Sequence, residues 1–252
     1  MEPSLQSIRL NNSDPSSHHS KIQDDAEPIR LNKFLASRLG ISRREADELI
    51  KKGEILIDEV PAKIGDKVDS SNKICYNKKI VPFTAKYTYL AFNKPIGYVC
   101  SRRSQGDSKT LYELLPEEYK KLKTVGRLDK DSSGLILLTN DGDFAFKMTH
   151  PKFRKTKIYE VMLDRPLEPL HQQMISDFGI KLEDGVSKFL IVRSPNFPDR
   201  THFIVSLSEG RNRQIRRTFA ALGYKVFNLH RTNFGKYELN NLKTGEYVII
   251  EP

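Results

Sequence analysis

The chain has 252 residues, 38% of them hydrophobic, and its 42 lysines and arginines against 32 aspartates and glutamates give a net charge of +10. That length and apolar content build one large folded domain or two smaller ones, and the basic excess points to a polyanionic partner, although it also fits a membrane surface or a merely solvated exterior. No apolar stretch approaches a membrane span, and the two cysteines, Cys75 and Cys100, lack metal-ligand spacing, so a helical membrane protein and a cysteine metal site are excluded.

Residues 1–27 are polar and poor in aromatics, so they bury too little surface to offset their ordering entropy and are expected to form a disordered tail. They also lack the continuous apolar core of a signal peptide, and a cytoplasmic protein is expected. From Ile29 the apolar residues Leu31, Phe34, Leu35 and Leu39 recur at helical spacing, with Gly40 as a stop. Ser42-Arg43-Arg44-Glu45 reads as a capping box opening a second helix, whose Ala46, Leu49 and Ile50 share one face before Gly53 ends it. Glu54 to Asp58 alternates as a short strand, with turns expected at Asp58-Glu59 and Gly65-Asp66. Between Ile29 and Lys52 seven basic residues, Arg30, Lys33, Arg38, Arg43, Arg44, Lys51 and Lys52, outnumber three acidic ones. Charge on a helix face is commonly just solvated, but Arg43 and Arg44 stand at a helix N-terminus, where free N–H groups and the helix dipole also favour a phosphate.

Residues 77–86 are expected to link a first domain, residues 28–76, to a second, residues 87–252. Tyr87 to Phe92 reads as a strand turned by Asn93-Lys94-Pro95-Ile96-Gly97 into Tyr98-Val99. The run GRLDKDSSGL, Gly126 to Leu135, places one carboxylate, Asp129, between an arginine and two small hydroxyl residues. Its flanking glycines let the backbone fold tightly, and Leu135 to Leu138 reads as a buried strand that presents the loop at its rim. Asp129 is therefore the first candidate for a catalytic group, against the plainer alternative of a turn aspartate paired with Arg127. Beyond it, Thr139 to Gly142 starts a helix, Ile158 to Leu163 reads as a strand, and Pro169 to Phe178 fits a helix with proline in its first turn. Strands at Phe189 to Val192 and His202 to Leu207 precede a helix from Gln214 to Leu222 closed by Gly223. Strands at Lys225 to Leu229 and Tyr247 to Ile250 complete a strand-rich α+β chain.

Three more stretches accompany GRLDKDSSGL: NKPIGYVCS (Asn93 to Ser101), HPKFRKTKIYEV (His150 to Val161) and EGRNRQIRRTFAALGY (Glu209 to Tyr224). In order and spacing the four motifs resemble the ribosomal RNA pseudouridine synthases that carry an S4-like RNA-binding domain, and RLNKFLASRLGISRREADELIKKGEILID resembles that domain itself. The resemblance implies an S4-like domain of two helices and short strands followed by a mixed, strand-rich catalytic domain, acting on ribosomal RNA as a monomer. Isomerising uridine breaks the C1′–N1 bond, turns the base and joins C1′ to C5 without redox change, so no metal or organic cofactor is expected. The reaction needs an ionised carboxylate near the sugar and a pocket for an unstacked base.

On the same resemblance Asp129 is the catalytic aspartate, Arg216 the arginine that salt-bridges it, Tyr159 the active-site tyrosine and Ile215 an apolar floor under the base. A carboxylate in a closed pocket stays ionised only with a cation in reach, which gives the arginine a physical reason. Arg127 is expected to steer phosphate or order the loop, and Lys94 to position substrate. Arg211, Arg213 and Arg217, extended by Arg231, are expected to form an electrostatic track, with Arg30, Lys33, Arg43 and Arg44 as docking contacts of the first domain. A non-catalytic RNA-binding protein has no reason to keep Asp129, Tyr159 and Arg216 together. A glycoside hydrolase usually needs a second carboxylate or activated water, and none stands out near the motifs. Large-subunit RNA is the preferred target, with small-subunit RNA the alternative.

Overall fold

Capping chemistry sets the limits of the two N-terminal helices, Leu31–Leu39 and Arg43–Lys51. Gly40 takes φ +70 after the first, a left-handed conformation that costs glycine little. Ser42 accepts the Glu45 N–H and the Glu45 carboxylate accepts the Ser42 N–H, completing the expected capping box. The computed structural model describes residues 27–84, 86–102, 106–195, 197 and 199–252, so the expected tail lies outside the described residues apart from Glu27.

Leu31, Phe34, Leu35, Ala46 and Ile50 are buried against Ile55, Val68 and Ile74, which gives this unit a core of its own. Its antiparallel sheet runs Val60–Pro61, Ile55–Ile57, Ile74–Tyr76, Lys79–Ile80. The first hairpin turns at Asp58-Glu59, as expected, with φ +48 and +71. A second turns at Asn77 and Lys78, also left-handed at φ +48 and +61. Lys79–Ile80 therefore pairs back onto Cys75-Tyr76, and Val81 is buried in the same core. The expected linker at 77–86 thus begins too early, because its mixed polarity hid a hairpin. Lys33 and Asp143, 2.6 Å apart, and Lys123, which donates to the Ile41 carbonyl at 2.7 Å, join this unit to the rest.

The second unit is built on one sheet, in the order Leu190–Arg193, His202–Leu207, Lys157–Leu163, Val226–Phe234, Ser133–Thr139, Tyr89–Lys94, Tyr247–Ile249. Lys123–Val125 pairs beside Ser133–Thr139, and Tyr237–Glu238 beside Val226–Phe234. Val226–Phe234 runs parallel to Ser133–Thr139. Ser133–Thr139 is buried along its whole length, with Ile136 and Leu138 in one core and Leu135 and Leu137 in another. Coverage of both faces explains why the run is continuously apolar instead of alternating.

Two expectations about loops change. Gly134 belongs to the strand, not the turn: at φ +103, a β-carbon there would lie 2.2 Å from the Arg231 carbonyl oxygen, so its missing side chain admits the neighbouring strand. Lys94 ends its strand without a hairpin into Tyr98-Val99. The Gly97 N–H instead donates to the Lys130 carbonyl at 2.7 Å, and Val99 bridges to Thr110.

Candidate active site

Residues Arg127 to Ser132 form the loop that leads from the Lys123–Val125 strand into the Ser133–Thr139 strand, against the start of the Gln214–Ala221 helix and beside a cavity of about 360 Å³. That volume lies within the range of about 300–1,000 Å³ usual for small-molecule sites. Asp129, Tyr159 and Ile215, expected together from three separate motifs, all line it. The Asp129 side chain is 32% exposed, so it reaches the cavity, while Tyr159 and Ile215 are buried in its walls.

The loop is held from below by Lys94. This side chain is fully buried, and its ammonium donates to the carbonyls of Pro95 at 3.0 Å, Asp129 at 3.1 Å and Ser132 at 2.6 Å. Burial lowers its pKa to about 8, with Cys100 and the Asp129 and Asp131 carboxylates opposing the shift only in part. The expectation that Lys94 meets substrate is therefore corrected: it is enclosed, and it touches the backbone of the Asp129 loop.

The arginine pairing also differs from expectation. Arg216 donates to the carbonyls of Val226 and Asp131, both at 2.7 Å, and its Nε lies 3.3 Å from the Asp131 carboxylate. Among the described residues, the cation within 4 Å of the Asp129 carboxylate is Arg213, at 3.5 Å. Arg213 also makes two hydrogen bonds of 2.9 Å to Asp131. Asp131, which sequence reasoning missed, thus links both arginines to the loop, and it stands only two residues past Asp129.

Arg213 holds the Asp131 carboxyl below its ordinary value of 3.8, with Arg216 adding to the effect. For a carboxylate with a lowered folded pKa the stabilisation is present in full above 3.8 and is lost as pH falls through the folded value. Asp131 is 46% exposed, so solvent screening limits this to about 1 kcal/mol or less. Thermal melts should show Asp131→Asn slightly less stable than the parent at pH 7, with the difference vanishing in strong acid. A difference that persists or grows in acid contradicts the assignment.

Arg231, expected on the RNA track, is 2% exposed. Its Nε donates to the Leu135 carbonyl at 2.7 Å, and its guanidinium lies 4.9 Å from the Phe234 ring centroid and 6.0 Å from that of Tyr159. It stiffens the cavity wall and offers no exposed charge. Tyr159 and Arg231 are register partners on adjacent strands, which fixes the tyrosine beside it.

Lys157, two residues before Tyr159, lines the same cavity and was not singled out from sequence. Its Nζ donates to the Glu209 carbonyl at 3.3 Å and lies 5.3 Å from the Phe234 ring centroid. Strand alternation was the available signal, since residues two apart share a face. Burial, reinforced by Arg231, lowers the Lys157 pKa.

Two more expected RNA contacts are engaged within the fold. Arg217 makes bonds of 3.0 and 2.7 Å to Asp184. Arg211 bonds the Asp184 carboxylate and the carbonyls of Asp184, Gly185 and Val186, anchoring the Gly185–Ser187 strand to the helix start. Buried Gln214 and Thr218 both bond Ser187, at 3.2 and 2.7 Å, so helix and hairpin form one rigid support. Lys33 is likewise committed, to Asp143. Arg30, Arg43, Arg44 and Arg127 are exposed, with Arg127 at the cavity.

Residues 88–221 match the RNA pseudouridylate synthase family, and residues 29–81 match the S4 domain. The chain belongs to the RNA pseudouridylate synthases and joins an S4 domain to the catalytic domain of that family. It is 36% identical over 228 residues to the ribosomal small subunit pseudouridine synthase A of Pasteurella multocida, covering 87% of this chain and 94% of that one. It is 33% identical over 227 residues to the ribosomal large subunit pseudouridine synthase B of Bacillus subtilis, covering 88% and 92%. A crystal structure of a pseudouridylate synthase matches it with a TM-score of 0.62 at 31% identity, over 88% of this chain and 96% of that one.

Proposed function

We propose that the enzyme isomerises a uridine of ribosomal RNA to pseudouridine, with Asp129 as the reacting carboxylate. The observation that carries this is the convergence of Asp129, Tyr159 and Ile215 on one cavity, with a cation in reach of the carboxylate. A uridine drawn from its stack enters with its sugar toward Asp129. Asp129 either attacks C1′ or removes the C2′ proton, and both routes start from the ionised carboxylate. The C1′–N1 bond breaks with its electron pair passing to the uracil, which turns within the cavity between Tyr159 and Ile215. C5 then bonds to C1′, which displaces the Asp129 carboxylate on the first route and is followed by return of the proton to C2′ on the second; C5 loses its proton and N1 takes one up. Lys94 and Arg216 act as positioning residues through the loop backbone, and Arg213 holds the two carboxylates in place.

Docking falls to the S4 domain in this reading, where Arg43 and Arg44 are exposed at a helix N-terminus. Removing one cation that neutralises a phosphate should flatten the log–log salt dependence of binding by about 0.7 for single-stranded RNA. Arg43→Ala with Arg44→Ala should therefore flatten the slope by about 1.4 and leave turnover at saturating RNA nearly unchanged. A fall in turnover with affinity intact contradicts this division of labour.

The target names of relatives divide between the two ribosomal subunits. The test is to delete the gene and map pseudouridines across all cellular RNA. Loss at one ribosomal position, or at close neighbours, supports the proposal and names the subunit, large-subunit RNA being the target this reading prefers. Loss confined to transfer RNA overturns it. The reading also places the enzyme in the cytoplasm and has it act as a monomer. Among the described residues, no helix is long and apolar enough to cross a membrane.

A further inference from the structure

We propose that Phe146 and Phe153, bridged by Lys152, form a stacking platform for an unpaired nucleobase next to the target uridine. The inference rests on the reading that the substrate is RNA, and it adds a contact outside the cavity. Phe146 is on the Gly142–Thr149 helix and Phe153 ends the short 3₁₀ turn Pro151–Phe153. Their ring centroids are 5.8 Å apart at a near-perpendicular angle, and the two residues are 46% and 36% exposed. Neither belongs to the hydrophobic cores of the catalytic domain.

A single exposed phenylalanine is ordinary, but two in contact beside a catalytic cavity form a patch that calls for an occupant. Thr149 and Pro151, which lie between them in sequence, line that cavity. Lys152 places its ammonium 4.7 Å from the Phe153 centroid and 5.6 Å from the Phe146 centroid. From Ala145 to Ile158 the chain carries five basic residues, Lys147, Lys152, Arg154, Lys155 and Lys157, and no acidic one. Aromatic faces within a cationic field suit a stacked base and its phosphate, whereas an apolar peptide gains nothing from the charge. A phosphate that draws Lys152 aside opens to the base the ring surface it covers, beside the His150 ring, 4.6 Å from that of Phe146 and 6.4 Å from that of Phe153.

The test uses the full chain with unmodified transcripts of small- and large-subunit ribosomal RNA. Phe146→Ala and Phe153→Ala should each weaken binding by about 5- to 150-fold, the effect of removing one base–aromatic stack. The single-turnover rate at saturating RNA, the melting temperature and the salt slope of binding should stay near the parent's, and Phe153→Trp should keep the parent's affinity. Unchanged RNA affinity in the double alanine variant overturns the platform and is also the outcome if the patch serves a protein partner. A reduced saturated rate with intact affinity overturns it too. A parent that neither binds nor isomerises ribosomal RNA removes the underlying reading, a result distinct from an active parent with indifferent variants.

Discussion

Asp129→Asn should lower pseudouridine formation by at least about 10³-fold while leaving RNA affinity nearly unchanged. Asparagine keeps the shape and removes the anion from which both chemical routes start. The loop should survive the change, because its supports act elsewhere. Lys94 and the Ser132 N–H bond the carbonyl of residue 129, and Arg213 keeps its two bonds to Asp131. The loss should therefore appear in kcat under single-turnover conditions and not in Kd. An asparagine variant that turns over near the parent's rate removes Asp129 from the chemistry. One that loses RNA binding in proportion makes it a docking residue.

Lys94→Met should have the largest effect on the loop itself. Three carbonyls lose a shared donor in a site closed to solvent; that of Asp129 keeps the Ser132 N–H, and each carbonyl left unsatisfied costs about 1–3 kcal/mol. Relief of a buried charge offsets part of this, which leaves a destabilisation of about 3 kcal/mol in urea melts. A shift of the Asp129 backbone by about 1 Å is enough to lower kcat about 10²-fold. A methionine variant with the parent's unfolding midpoint and kcat shows that the loop stands without the ammonium.

The same lysine sets a pH dependence with opposite signs for stability and activity. Its folded pKa, about 8, lies below the ordinary 10.5. Between those values the unfolded chain binds more protons than the folded one, so this group's contribution to stability rises with pH. Meanwhile the neutral amine has two N–H donors for three carbonyls, so the loop slackens and activity should fall through about pH 8. Parallel urea melts and kcat measurements from pH 7 to 10 check this, and a kcat that holds level across the window contradicts it.

What could be read from sequence were the groups whose chemistry is local. The Ser42 capping box, the Asp58-Glu59 hairpin and the buried Leu135 to Leu138 strand follow from neighbours in the chain, and the structure keeps each. The family and the fold likewise followed from short ordered motifs. Cations were harder, because charge alone does not say what it meets. Lys94 and Arg231 read as RNA contacts, yet both are buried, on carbonyls and beside an aromatic ring, whereas Arg211 and Arg217 pair with Asp184 at the surface. Arg213 and Arg216 stand three residues apart and compete for Asp129 and Asp131, a choice set by the rotation of the helix start. Gly134 looked like a turn residue because its reason for being glycine, the Arg231 backbone, lies 97 residues away in sequence.

The central claim is that this chain rearranges uridine within RNA and releases nothing but the C5 proton. The most direct test incubates the purified full chain with ribosomal RNA transcripts carrying tritium at uridine C5, then counts released tritium and identifies the digested nucleosides by mass. The account predicts tritium release in step with pseudouridine, no free uracil and an intact RNA backbone. Free uracil, or RNA left unchanged by an enzyme that binds it, contradicts the account.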